Sequence, residues 1–269
     1  MSGEGTRRIM MSAGTKSQYN ETFAEALQWL WGDGHLAPGG VEDVEALLAG
    51  VEIKGREVLD IGCGLGVITL MLAKKYGAKT VVGIDVEQHL IDHSTKRTAT
   101  AEATDRVSFE FVEPGPLPFA DASFDVVFTK DVIVHIPEKE GFYKDIIRVL
   151  KPGGVLVGSD WLRGGEGHYS ETVDQWLELV HLDFQLKNLE QTRVALQAAG
   201  FGNVSLNDRN AFHRGEVAKE VTQLDERFDQ LVARIGQEQA DYRLRSSRMR
   251  QKVIDEGFLR PAHFVGHKL

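Results

Sequence analysis

A short apolar run that passes directly into a glycine turn and then a helix constrains this chain more than any other feature. Glu57-Val-Leu-Asp-Ile61 has the length and composition of a buried strand, Gly62-Cys-Gly64-Leu-Gly66 turns the chain, and Val67 to Tyr76 carries apolar residues at helical spacing. The same rhythm continues with a strand at Thr80–Asp85, a helix over Glu87–Thr98, and strands at Val107–Val112, Phe124–Phe128 and Gly154–Gly158. Strands alternating with helices predict an α/β fold with a parallel sheet and right-handed crossovers. In such a sheet the loops beyond the carboxyl ends of the strands form the ligand crevice.

The flanks read differently. Residues 1–17 are polar; Gln18 to Gly32 repeats apolar residues at helical spacing; Gly39-Gly40 breaks the chain before a second short helix over Val41–Leu48. Beyond Trp161, after a loop at Gly164-Gly-Glu-Gly167, the last hundred residues read as mainly helical and rich in charge. With 269 residues and 42% hydrophobic content, the chain is expected to form a single domain. Lid helices would occupy about 1–40, a ligand-binding core about 41–160 and a helical cap about 161–269. A net charge of −9 supplies no basic footprint, so neither nucleic acid nor an anionic membrane is an expected partner. Cys63 is the only cysteine, which excludes an internal disulfide and a multi-cysteine metal site. No apolar stretch resembles a secretion signal or a membrane span, and the cytoplasm is the expected location.

The chemistry of the turn follows from charge. Gly62 and Gly64 allow backbone to pass close to a ligand, although glycines also serve tight turns on their own account. Asp85 closes the next strand, the position of an acid that accepts hydrogen bonds from both ribose hydroxyls of an adenosine ligand. Asp60 stands immediately before the turn, where it would repel a dinucleotide pyrophosphate seeking backbone N–H groups. A ligand carrying an ammonium and a sulfonium suits that carboxylate, and S-adenosylmethionine is such a ligand.

Val58-Leu-Asp-Ile-Gly-Cys-Gly-Leu-Gly66, Gly83-Ile-Asp85, Phe124-Asp125 and Leu150-Lys-Pro-Gly-Gly154, in that order, resemble the class I S-adenosylmethionine-dependent methyltransferases. The resemblance implies a Rossmann-like, mostly parallel seven-stranded sheet with helices on both faces and a helical cap. It also implies a cofactor site: Asp60, Gly62, Cys63 and Gly64 at the methionine part, Asp85 and Val86 at the ribose, Glu113 and Pro114 at the adenine edge. Gln18-Tyr19-Asn20, Leu36-Ala-Pro-Gly-Gly40, Thr129-Lys-Asp-Val-Ile-Val-His135 and Ser159-Asp-Trp161 narrow it further: together they are similar to the phosphoethanolamine N-methyltransferases. That likeness adds Gln18, Tyr19, Gly39 and Thr129 to the cofactor site and implies a catalytic pair of Tyr19 and His135, with Asp131 beside them.

The chemistry of that pair can be argued independently. Nitrogen attacks a sulfonium methyl only with a free lone pair, so an ammonium acceptor must lose a proton, and histidine accepts one near neutral pH. A histidine after a Val-Ile-Val run also reads as a core residue, and Tyr19 as a packing one. Asp131 either steadies the histidine, meets the acceptor nitrogen or caps the helix it begins. Trp161 either faces a methylated ammonium through a cation–π contact or packs in the core.

The family binds its substrate phosphate through an arginine, a tyrosine and a C-terminal lysine. Aligned from Gly200-Phe201, the first two fall on Leu182 and Phe184, which cannot hold a phosphate, and the third falls near Arg245. His181 or Lys187 are the nearby substitutes. The substrate side is therefore expected at Trp161, Phe184 and Arg245, with an acceptor that is less charged, or larger and more apolar, than phosphoethanolamine. Arg243, Arg245, Arg248, Arg250 and Lys252 form a basic cluster that is either a solvated helix face or aimed at an anion. Expected products are S-adenosylhomocysteine and an N-methylated small molecule, with no metal. Methyl transfer to O, S or C, or a non-catalytic cofactor-binding module, remain the alternatives.

Overall fold

The computed structural model describes residues 19–165, 170–180 and 186–269. Gln18 and the substrate-side positions His181, Leu182 and Phe184 lie outside the described residues.

Seven strands form one sheet in the order β3-β2-β1-β4-β5-β7-β6. They are β1 (Glu57–Ile61), β2 (Thr80–Asp85), β3 (Val107–Phe111), β4 (Phe124–Lys130), β5 (Leu150–Asp160), β6 (Phe201–Asp208) and β7 (Ala262–Lys268). β1 to β5 pair in parallel, whereas β7 lies antiparallel to both β5 and β6. All five strands expected from the sequence are present. The sheet is nonetheless completed by β6 and β7, from the stretch read as a helical cap, so the core does not stop at residue 160.

Alternating burial on the strands serves two apolar layers. Leu59, Ile61, Val127 and Leu156 face α5 (Lys139–Val149) and α7 (Leu189–Ala199), through Tyr143, Ile146 and Leu196 among others. Val58, Val126, Phe128 and Val157 face the other way, onto Val44 and Leu47 of α2 (Gly40–Leu47) and Leu72 of α3 (Val67–Lys74). Both faces are covered, as a parallel sheet requires.

Local chemistry sets several helix ends. The Asn20 side chain accepts the Phe23 N–H at 3.0 Å and caps α1 (Glu21–Trp31). Asn188 and Gln191 form a reciprocal capping box at the start of α7. Gly66, at φ +78, starts α3 in a left-handed conformation, with Phe109 and Ser94 packed where a side chain would project.

The remaining helices are α4 (Gln88–Thr100), α6 (Glu171–Val180), α8 (Asn210–Glu226), α9 (Phe228–Ile235) and α10 (Gln237–Asp255). Residues of α6, α8 and α10 pack with Val134 and Trp161, which follow β4 and β5. α1 joins α8, α9 and α10 through Leu30, Leu224, Leu231 and Ala240. The order of the parallel strands reverses between β1 and β4, which is where a crevice opens at their carboxyl ends. The helices from both ends of the chain pack over that edge.

Candidate active site

Two loops meet at the switch point. After β1, the N–H groups of Gly62 and Cys63 donate to the Ile84 carbonyl at 2.8 and 3.0 Å, which ties the glycine turn to the end of β2. Asp85 completes the tie. Its Oδ2 accepts the Gly64 N–H at 2.9 Å and its Oδ1 the Glu87 N–H at 3.0 Å. Gly62 is at φ +72, and a Cβ there would overlap a methyl of Val132, so this glycine makes room for the protein's own loop after β4. Gly64, at φ +53, faces only Leu36.

Asp60 is buried beneath the turn and accepts a 2.6 Å hydrogen bond from the Thr69 hydroxyl. Burial is the main reason its carboxyl is pushed up to about 7, and Asp85 adds to the rise. Burial likewise raises Asp85, against the backbone donors of Gly64, Glu87 and Val86. Among the described residues no lysine or arginine pairs with either carboxylate. Val112 donates to the Asp85 carbonyl at 3.0 Å, which sets the exposed Glu113 and Pro114 beside the same edge. Thr129, fully buried at the end of β4, has a hydroxyl with no hydrogen-bond partner among the described residues. Cys63 is buried, and burial raises its thiol well above the usual range, so it packs rather than reacts.

The loop after β4 forms a one-turn 3-10 helix, Ile133–His135, that presents His135. The His135 ring stands edge-on to the ring of Tyr19, with centroids 6.3 Å apart. Burial, reinforced by the Lys139 ammonium, lowers the imidazole to about 4, so it is neutral at physiological pH. Burial, with Asp131 and Asp85, keeps the Tyr19 phenol protonated. Tyr19 is held from behind: a ring nitrogen of His89 lies 2.6 Å from its carbonyl oxygen.

Asp131 does not cap the turn; Val132 occupies that position and no side chain caps it. Instead its backbone is at φ +59, its N–H donates to the Ser159 carbonyl at 2.8 Å, and its carboxylate accepts from Lys130 Nζ at 2.9 Å. Lys130 is also 3.2 Å from Asp43, a fully buried carboxylate reached by His263 at 2.9 Å, Arg209 at 3.4 Å and His213 at 3.5 Å. This charged knot was missed in the sequence. Its signal was Asp43 at a core-facing position of α2, four residues before buried Leu47. Gly39, at φ +93, starts α2 and leaves the space that Asp43 fills, which is a structural reason for that glycine.

On the far wall, Trp161 packs against the His213 ring at 5.6 Å and under the Arg250 guanidinium at 5.7 Å. Arg250 and Arg243 are buried and share one buried carboxylate, Glu220, which also accepts from Ser247 and from Trp31 Nε1. Arg243 and Arg250 are two helical turns apart and share the inner face of α10. Arg245 lies roughly 200° around the helix from Arg243. It is exposed, in an open outer groove with Asp241, Arg248 and Lys252, so the expectation that Arg245 joins the site is corrected: the inward cations are Arg243 and Arg250. The basic cluster is thus split, part solvated and part buried.

Two carboxylates without cationic partners, an orphan threonine hydroxyl and a hydrogen-bonded glycine turn suit a cationic nucleoside and not a pyrophosphate. Comparison with known proteins agrees. A methyltransferase domain family model matches residues 53–163. The phosphoethanolamine N-methyltransferase 1 of Zea mays is 30% identical over 225 residues, covering 83% of this chain and 44% of that protein. A 27-O-demethylrifamycin SV methyltransferase of Amycolatopsis mediterranei is 32% identical over 155 residues, covering 53% of this chain and 56% of its own length. A structure of Haemonchus contortus phosphoethanolamine N-methyltransferase 2 in complex with phosphomonomethylethanolamine and S-adenosylhomocysteine superposes with a TM-score of 0.85 at 25% identity, covering 94% of this chain and 58% of that one. The chain spans about half the length of the phosphoethanolamine enzymes it matches.

Fold and site resemble those of the class I S-adenosylmethionine-dependent methyltransferases. Within that class the chain resembles the phosphoethanolamine N-methyltransferases.

Proposed function

We propose that this chain transfers a methyl group from S-adenosylmethionine to the nitrogen of a small, phosphoethanolamine-like amine. The observation that carries the reading is the meeting of Tyr19 and His135 near Asp85, a carboxylate that pairs with no lysine or arginine among the described residues. Bound there, S-adenosylmethionine supplies an electrophilic methyl on a positively charged sulfur and leaves as S-adenosylhomocysteine. Asp60 and the Gly62–Gly64 turn would hold its amino acid end, Asp85 and Val86 its sugar, and Glu113, Pro114 and Thr129 the base side, with Tyr19 closing over it. Helix α1 and the segment to residue 40 then act as lid, the sheet as platform and the helices after residue 161 as the acceptor wall.

His135 accepts the amine proton or hydrogen bond and so turns the nitrogen lone pair toward the methyl. Taking a proton from an ordinary ammonium near pH 10 onto an imidazole near 4 is uphill by about 8 kcal/mol. The acceptor therefore has to become less basic as it is desolvated, as Lys139 does here: its ammonium is lowered to about 8, chiefly by burial. Tyr19, neutral and anchored through His89, orders the pair and excludes water. Trp161 and Arg250 would face the acceptor, with Arg250 meeting any anionic group it carries. A cytoplasmic location goes with use of this metabolite; no helix among the described residues is long and apolar enough to cross a membrane.

Incubation with labelled S-adenosylmethionine and a panel of ethanolamine, phosphoethanolamine and their mono- and dimethyl forms tests the reading. Label on nitrogen is expected; cofactor binding with no amine methylated would remove it. The likeness to the rifamycin methyltransferase supports a second reading, transfer to oxygen of a larger acceptor, which a product with untouched nitrogen would favour.

A further inference from the structure

Lys139 is a buried cation for which the reaction above has no use. It is the first residue of α5, where the helix dipole disfavours positive charge, and it is 4% exposed. Its ammonium turns away from α5 and back onto the preceding loop, donating to the Ile133 carbonyl at 2.7 Å and the Ile136 carbonyl at 2.8 Å. Those two carbonyls bracket Val134 and His135. The same turn is also closed by the His135 N–H to the Val132 carbonyl at 3.0 Å and the Ile136 N–H to the Ile133 carbonyl at 2.9 Å, and the Val134 N–H donates to the Asp160 carboxylate. A three-residue 3-10 turn is a weak element on its own, with poor hydrogen-bond geometry. The lysine adds two hydrogen bonds to those that hold it.

We propose that Lys139 is a positioning residue for His135: its ammonium fastens the turn that presents the imidazole and sets a positive charge beside that ring. The inference rests on the reading of His135 as the residue that meets the acceptor. The electrostatic half has a purpose there. Donor sulfonium and acceptor ammonium are both cations, and an imidazolium between them would repel both. The charged and titratable groups that act on His135 are, after burial itself, Lys139 and the opposing Asp131, with the Tyr19 ring against it. Those that act on Lys139 are Asp160 at the end of β5 and Lys187 ahead of α7. Burial raises the Asp160 carboxyl well above its usual range, so it is a poor counter-ion, and the field of the lysine reaches the imidazole incompletely cancelled.

The test is an NMR titration of the His135 ring in the full chain, free of ligand, as wild type, Lys139→Arg and Lys139→Met. The methionine variant keeps bulk and removes charge and donors; its His135 is expected to titrate about one pH unit higher than wild type. The arginine variant keeps the charge and is expected to stay within a few tenths of wild type. With a methylatable acceptor, kcat falls at least tenfold in the methionine variant with KM little changed, and arginine restores most of it. An unmoved His135 titration in the methionine variant, or equal shifts in both variants, overturns the proposal. If that variant does not fold, wild type decides alone: loss of the Lys139 proton near pH 8 must perturb the His135 resonances, and a flat signal through that range refutes the coupling. Because the titration needs no substrate, it stands apart from the question of which methyl acceptor is used.

Discussion

Asp85 and Gly64 are joined directly: the carboxylate that closes β2 accepts the N–H of the glycine turn after β1 at 2.9 Å. The acid proposed to bind the sugar therefore also shapes the glycine loop proposed to hold the other end of the ligand.

Asp85→Ala is expected to weaken S-adenosylhomocysteine binding by tenfold or more, since hydrogen bonds to a charged group are worth about 1.5–3 kcal/mol each. Asp85→Asn retains an acceptor for Gly64 and should lose less. Isothermal calorimetry distinguishes the two; equal affinity in all three proteins would show that Asp85 touches no ligand.

With Asp60 holding the cofactor as proposed, binding is expected to depend on pH. Its folded carboxyl, near 7, lies above the ordinary value of 3.8, so the folded protein carries the extra proton below pH 7. A cationic ligand favours the carboxylate, and binding at pH 6 should release a proton. Calorimetry in buffers of differing ionisation enthalpy reads this release, and Asp60→Asn should abolish it. By the same sign, Asp60 stabilises the fold less as pH rises from 3.8 through 7.

His135 acts in the opposite sense. A folded value near 4, below the ordinary 6.5, means that the unfolded chain takes up protons first, so stability falls as pH drops from 6.5 toward 4. His135→Asn should flatten that part of a urea-unfolding profile. Turnover should fall by about 10²–10⁴-fold in His135→Ala, the usual scale of a lost proton-transfer group, and by less in Tyr19→Phe.

Glu220 neutralises two buried arginines. Glu220→Gln leaves both uncompensated and is expected to cost about 3–5 kcal/mol in chemical denaturation. A loss below 1 kcal/mol would mean that water reaches Arg243 and Arg250 easily.

Gly62→Ala should destabilise by about 1–3 kcal/mol through overlap with Val132 and strain at φ +72. Val132→Ala in the same chain should recover part of the loss by opening space. Failure of that rescue would assign the whole cost to the backbone.

How much of this was legible in the sequence follows from how local each cause is. Residues 57–85 could be read in order, because a buried strand, a glycine turn and an amphipathic helix are each written in neighbouring residues; Asp60, Gly62, Gly64 and Asp85 came with them. Tyr19 and His135 were reached through a resemblance, and only the fold brings their rings within 6.3 Å. β6 escaped because Val204 and Leu206 alternate with Ser205 and Asn207 on a half-exposed edge, and its pairing partner β7 begins more than fifty residues later.

The chain alone determined the class of sheet, the crevice and its negative character, since these depend on periodicity and on acids adjacent to the turn. Tertiary structure decided which charges are buried and paired. Five basic residues on α10 look alike in sequence, yet Arg243 and Arg250 turn inward because Glu220 awaits them on α8, while Arg245 faces outward. Asp43 is met by Lys130, Arg209, His213 and His263 from distant parts of the chain, and Lys139 reaches back to the turn of His135. A buried charge is stable only where distant partners meet it, so its role becomes visible only once the chain has folded.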